Sequence, residues 1–183
     1  MKTRALPLVL LLLAAAAPLL AQMGGRDPLS PLETDELREV AQEPDKRLKL
    51  LIKYLRARMD LIDQLRAGAK PVAGAQMHDR LEDFGKILDE MDDNIDDYAD
   101  HRADLRKPLR EVIDAETEFQ AKLKAISDAA AGGKSNSQSY AFVLQNDLDA
   151  IATSLDSNRK LLDQQEVDFK AAKEAEKQRN KKK

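Results

Sequence analysis

The residues of this 183-residue chain best equipped for chemistry lie between Asp89 and Asp104, where eight carboxylates occur in sixteen positions. Asp92, Asp96, Asp100 and Asp104 recur at every fourth position, and Asp89, Asp93 and Asp97 do the same. On a helix, such spacing stacks each set along one face. Like charges so placed destabilise it by roughly 0.2–0.5 kcal/mol per pair unless something neutralises them. A divalent cation is one candidate, with Asp96, Asp97, Asp100, His101 and Asp104 as its ligands. Aligned as a calcium loop, Asp92, Asn94 and Asp96 fit the first, third and fifth positions. Asp97 then replaces the required glycine and Ala103 the closing glutamate, so the alignment fails. Pairing with basic segments of the same chain is the preferred expectation, and no metal or other cofactor is predicted. A calcium titration followed by melting temperature separates the two.

The remaining chemical residue types offer less. A carboxylate-bridged iron bundle needs glutamate three residues before each inward histidine, whereas Ala75 precedes His78 and Tyr98 precedes His101. Met59, Met77 and Met91 fall on apolar seams, where methionine fills a core. There is no cysteine, which excludes a lipid-anchoring cysteine, covalent haem attachment, thiol catalysis and thiolate zinc. Gly-x-Ser-x-Gly, phosphate-binding glycine-rich and His-Glu-x-x-His patterns are also missing. No catalytic residue is assigned, and the expectation is a non-enzymatic protein.

The elements that must position these residues are helices. Charged residues make up 34% of the chain and aromatics 4%, the mixture of long amphipathic helices. The pattern predicts an all-α, elongated antiparallel bundle or coiled coil of three long helices plus a short N-terminal helix. Its centre is a stripe from Met77 to Ile126 in which thirteen of fifteen positions at alternating four- and three-residue steps are apolar, Arg102 and Glu116 excepted. Pro108 lies inside the stripe. Interior proline costs about 3 kcal/mol, yet residues 104–108 hold no glycine or asparagine, and the stripe stays in phase across them. A continuous helix kinked at Pro108 is therefore preferred. The alternative is a four-helix bundle, made if the chain breaks there.

Around this stripe, Ser30-Pro31-Leu32-Glu33 reads as a capping box opening the short helix. A second helix spans about Asp45–Ala67, with linker Gly68–Gly74 after it. A turn at Gly132-Gly133 precedes the last helix, which dissolves into the basic tail Lys170–Lys183. Closing both turns as hairpins sets a register. Lys53, Lys49 and Lys46 should then face Asp89, Asp93 and Asp96, while Lys170, Lys173 and Lys177 fall beside Asp97, Asn94 and Glu90.

The domain plan is a signal peptide at 1–21, a flexible lead-in at 22–29, one helical domain at 30–169 and the tail at 170–183. Met1-Lys2-Thr3-Arg4, the apolar run to Leu20 and Ala21 carry the export signal. No later apolar run is long enough to span a bilayer, so the protein is expected in the periplasm or the medium. Without residues 1–21, 28 basic and 33 acidic residues remain, a net charge of −5 that argues against nucleic acid.

Beyond residue 110, the preferred architecture leaves a two-helix finger with surplus apolar surface. Ile113, Tyr140, Phe142 and Val143 are its candidate contacts to a protein partner or a second copy. The basic tail could touch an anionic envelope surface weakly. The expected function is an exported interaction, scaffold or assembly module; the alternatives are an envelope chaperone and a cation-binding protein using the aspartate belt.

Overall fold

A computed structural model describes residues 26–67, 73–131 and 137–181. The expected signal peptide and its cleavage site, residues 68–72 of the linker, the Gly132-Gly133 turn and Lys182–Lys183 lie outside them. Five α-helices pack against one another, and the described residues contain no strand. They are α1 (Pro31–Glu39), α2 (Pro44–Ala67), α3 (Ala73–Asp100), α4 (Arg106–Ala131) and α5 (Ala141–Lys181), with a 3₁₀ turn at Ser137–Ser139. The capping box forms as the sequence suggests. Glu33 N–H donates to Ser30 Oγ at 3.3 Å, and Ser30 N–H donates to Glu33 Oε2 at 2.8 Å.

The stripe is the core. Every position from Met77 to Ile126 on its four-and-three steps is buried except Arg102. It meets Leu48, Ile52, Leu55, Met59 and Ile62 of α2, and Leu144 and Ile151 of α5. Full burial of such side chains stabilises by ~1.5–3 kcal/mol each.

The kinked continuous helix is overturned. α3 stops at Asp100 and α4 begins at Arg106, so the stripe folds back on itself. The stop is a Schellman closure: Arg102 N–H donates to Ala99 O at 2.9 Å and Ala103 N–H to Tyr98 O at 2.9 Å. The left-handed position that glycine normally takes is held by Arg102, with φ 59°. Absence of glycine therefore did not keep the helix intact. Asp104 then takes Arg106 N–H at 3.2 Å, and Gln165 of α5 clips the turn, accepting from Leu105 N–H at 2.8 Å and donating to Ala103 O at 3.0 Å. Pro108 breaks nothing. As the third residue of α4 it falls among the first four positions, whose N–H groups have no acceptor within a helix, and the helical ladder starts at Leu109 N–H to Leu105 O, 2.8 Å. Since a non-glycine residue is strained at such a φ, Arg102→Gly should stabilise the protein by about 0.5–1 kcal/mol. A thermal melt reads this as a rise of about 1–4 °C; a fall would mean that the arginine side chain contributes more than its backbone loses.

Folding back changes the neighbours. α2 lies against α3 and α4, and α5 lies against α4 and α3. α2 and α4 run in the same direction, as the ladder Asp45–Lys107 (2.7 Å), Lys49–Glu111 (3.2 Å) and Arg56–Glu118 (3.3 Å) shows. The distal two-helix finger therefore does not exist, because α2 covers α4 along its length.

The charge register is overturned with it. Basic residues of α2 face Glu33 and Glu36 of the short helix, Glu111 and Glu118 of α4, and on α3 only Glu90, which Arg47 meets at 2.9 Å. Lys53, Lys49 and Lys46 do not reach Asp89, Asp93 and Asp96. Nor does the tail fold onto the belt; α5 stays helical to Lys181 and is exposed on every side from Lys170 onward. Among the described residues, Asp89, Asp92, Asp93, Asp96 and Asp100 have no ion pair, and Asp97 meets only His101, at 3.5 Å. No helix of the described residues is long and apolar enough to cross a membrane.

Candidate functional site

Where α5 lies on α3 and α4, its inward face carries Asp147, Ser154 and Asn158, all at most 4% exposed. Steps of seven and four residues put the three on one side of the helix. Across from them stand Glu116 of α4, fully buried within the apolar stripe, and Asp92 of α3, half-buried. Ser154 Oγ joins the two carboxyls, 2.6 Å from Asp92 Oδ1 and 2.5 Å from Glu116 Oε1. Asn158 Nδ2 donates to Glu116 Oε1 at 2.8 Å and to Ser154 Oγ at 3.2 Å. Glu116 Oε2 is buried without a partner.

Two turns toward the start of α5, Asp147 rests on the backbone of α3. A Cβ placed on Gly85 would sit 2.6 Å from Asp147 Oδ1, so glycine is what leaves room for the Asp147 carboxyl there. Asp147 Oδ2 is buried and unpartnered. Asp83 is buried as deeply, but Arg26 (2.5 Å) and Arg80 (3.1 Å) clamp its carboxylate. Among the described residues, no cation clamps Asp147 in this way.

Electrostatics follow burial. Loss of water raises Asp147 to about 8, with Asp89 adding to the effect. Burial lifts Glu116 to about 7, partly opposed by the Ser154 hydrogen bond and aided by the charge of Asp92. Asp92 rises to about 6, chiefly by burial, with its helix neighbours Asp89, Asp96 and Asp93 pushing the same way. Desolvation of the charged form is the shared cause. By contrast, the bidentate Arg106 holds exposed Asp104 down to about 2.

Outside this cluster a groove of about 420 Å³ runs between α3 and α5, lined by Asp89, Asp92, Asp96, Asp149, Ser154 and Asn158 among others. Chemically, the arrangement can hold protons and present negative charge. It is poorly disposed for acyl transfer. Ser154 sits mid-helix, where the backbone N–H groups that could stabilise an oxyanion are committed to the helical ladder.

The metal candidates are dispersed. Asp96 lines the groove, Asp97 and Asp100 point to solvent, His101 Nδ1 lies 2.7 Å from Asp97 O, and Asp104 is taken by Arg106. Among the described residues no group of three or more histidine or acidic side chains is disposed to hold a metal ion. Of the partner candidates, Ile113, Tyr140 and Val143 are half-buried, and the latter two pack on the core, while Phe142 is 79% exposed.

Sequence reasoning noted Glu116 as a polar step in the stripe, but it passed over Asp147 and Ser154. Their spacing from Asn158 was the available signal. No family model, curated protein or solved structure matches this chain.

Proposed function

We propose that the protein is an exported, non-enzymatic interaction module: an up-and-down bundle of α2 to α5 from which the end of α5 projects as a basic docking arm. The observation that carries this reading is the length of α5. It has 41 residues against 24, 28 and 26 for α2, α3 and α4, and its last three turns are exposed on every side. From Lys170 to Lys181 it carries five basic and two acidic residues. A helix polar on all sides is held by local ion pairs or by a partner it bridges to. Here one pair, Lys170 with Glu166 at 3.8 Å, ties its base. Positive charge on a rigid extension steers an acidic partner into contact, with a strong dependence on salt. The unneutralised aspartates of α3 in a second copy have the complementary sign, so self-assembly is the first case to examine.

Ending the chain after Phe169, which stacks on Arg106 at 3.4 Å and is therefore kept, should leave the melting temperature within about 2 °C, since the residues from Lys170 to Lys181 are exposed on every side. It should abolish partner capture from the native envelope and any self-association seen by sedimentation at about 0.1 M salt, as about 0.5 M salt does for the full chain. A full chain that is strictly monomeric and retains the same proteins as the truncated one would remove the proposal.

A further inference from the structure

We infer that Asp92 and Glu116 share one proton through Ser154, making the junction of α3, α4 and α5 a proton-binding latch that loosens as the proton leaves. The inference rests on counting hydrogens. The Ser154 hydroxyl has a single hydrogen, yet its oxygen lies 2.6 Å from Asp92 Oδ1 and 2.5 Å from Glu116 Oε1. It can donate to one of them only. The other contact needs a hydrogen from the carboxyl itself, and Asn158 Nδ2, already 3.2 Å from the same oxygen, brings its hydrogen from elsewhere. With both carboxyls ionised, two acceptor oxygens would press on a hydroxyl that satisfies one, and the second charge would stand beside a fully buried Glu116.

The surroundings favour retention. On α3 the charges acting on the pair are Asp89, Asp93 and Asp96, all negative. From α5 the cation acting on Glu116 is Arg159, the weakest of its influences, while Asp147 lies two turns away along the same face. Among the described residues, no hydrogen bond or ion pair joins a charged group of α2 to either carboxyl; its basic side chains bond to Glu33, Glu36, Glu90, Glu111 and Glu118 instead. Burial and this negative field place Asp92 and Glu116 at about 6 and about 7, so the pair keeps at least one proton until pH rises through that range, and the last, shared proton is lost at its upper end. Water has a route in, because Asp92, Ser154 and Asn158 line the α3–α5 groove while Glu116 lies behind them. Asp92 and Ser154 thus connect the buried glutamate to solvent.

Carboxyl-carbon NMR titration of the full chain tests this directly. Asp92 and Glu116 should respond together in a step between about pH 6 and 7, instead of near 4 as free carboxyls do. Ser154→Ala should split that common step. Glu116→Gln should lower the Asp92 midpoint by about one pH unit or more, because the serine hydrogen then belongs to Asp92 alone. Backbone amides around Asp92 and Ser154 should exchange at least about tenfold faster at pH 8 than at pH 6 after correction for intrinsic rates. If both carboxyls of the unsubstituted chain ionise below about pH 5, or titrate in separate steps that Ser154→Ala leaves in place, the latch is wrong. That result needs no variant to fold, and it leaves the docking arm untouched.

Discussion

Replacing Asp147 with asparagine should raise the stability of this protein at pH 8 by about 2 kcal/mol, read as a melting temperature about 4–8 °C higher. Asp147 is buried against Gly85, its Oδ2 has no hydrogen-bond partner, and no cation among the described residues pairs with it. Its folded pKa of about 8 stands far above the ordinary carboxylate value. Below about pH 4 the group is protonated whether the chain is folded or not. Between there and pH 8 the folded chain keeps a proton that the unfolded chain has released, so its contribution falls as pH rises and is gone above the folded pKa. Glu116 and Asp92 have the same sign. The unsubstituted protein should therefore become more thermostable as pH drops from 8 to about 5. Further acidification reverses the trend, because carboxyls held low by cations, Asp104 by Arg106 and Glu33 by Arg58, lose their contribution as they protonate. Melting curves of both forms across this range decide the matter. The benefit of the substitution should shrink toward zero near pH 4; a benefit equal at pH 8 and pH 4 would mean that charge is not its origin.

Phe84 and Phe119 supply the second large effect. They meet edge to face at 5.4 Å, an arrangement that exists only because α4 returns alongside the α2–α3 pair. Each is fully buried, so either change to alanine should cost about 3–5 kcal/mol. More telling is the coupling. A double-mutant cycle should return about 0.5–1.5 kcal/mol between the rings. Along one unbroken helix they would stand on the order of 50 Å apart, and the coupling would be zero. A cycle run with Phe→Leu at both positions keeps the measurement possible if the alanine variants unfold.

The same pair of rings shows where local pattern stops being informative. Both lie on the stripe, and the stripe is right: its period selects the buried residues whether or not the helix turns back. Pro108 was the visible irregularity, yet it fits the first turn of α4 without loss. The actual stop rests on Arg102, whose left-handed backbone no residue type announces. It also rests on Gln165, sixty positions beyond the Leu105 N–H it accepts from, which satisfies the turn's exposed backbone. Once that turn is missed, everything paired across it is misplaced, including the counter-charges assigned to the aspartate belt.

The candidate site was legible only in fragments. Glu116 interrupts an apolar stripe, and Asp92 belongs to a carboxylate stack; either can be seen by inspection. Ser154 and Asp147 gain meaning solely from what lies opposite them.

By itself, then, the sequence determined the all-helical class, the N-terminal capping box, the inward face of each helix and the excess of negative charge. These depend on residues a few positions apart, within reach of one another along the same backbone. Tertiary structure alone decided that α3 and α4 are two helices and that α2 covers α4. It likewise decided that, among the described residues, Asp89, Asp92, Asp93, Asp96 and Asp100 lack ion-pair partners and that two carboxyls meet over one serine hydroxyl. Those outcomes depend on contacts between residues tens of positions apart, which come together only when a single left-handed residue turns the chain.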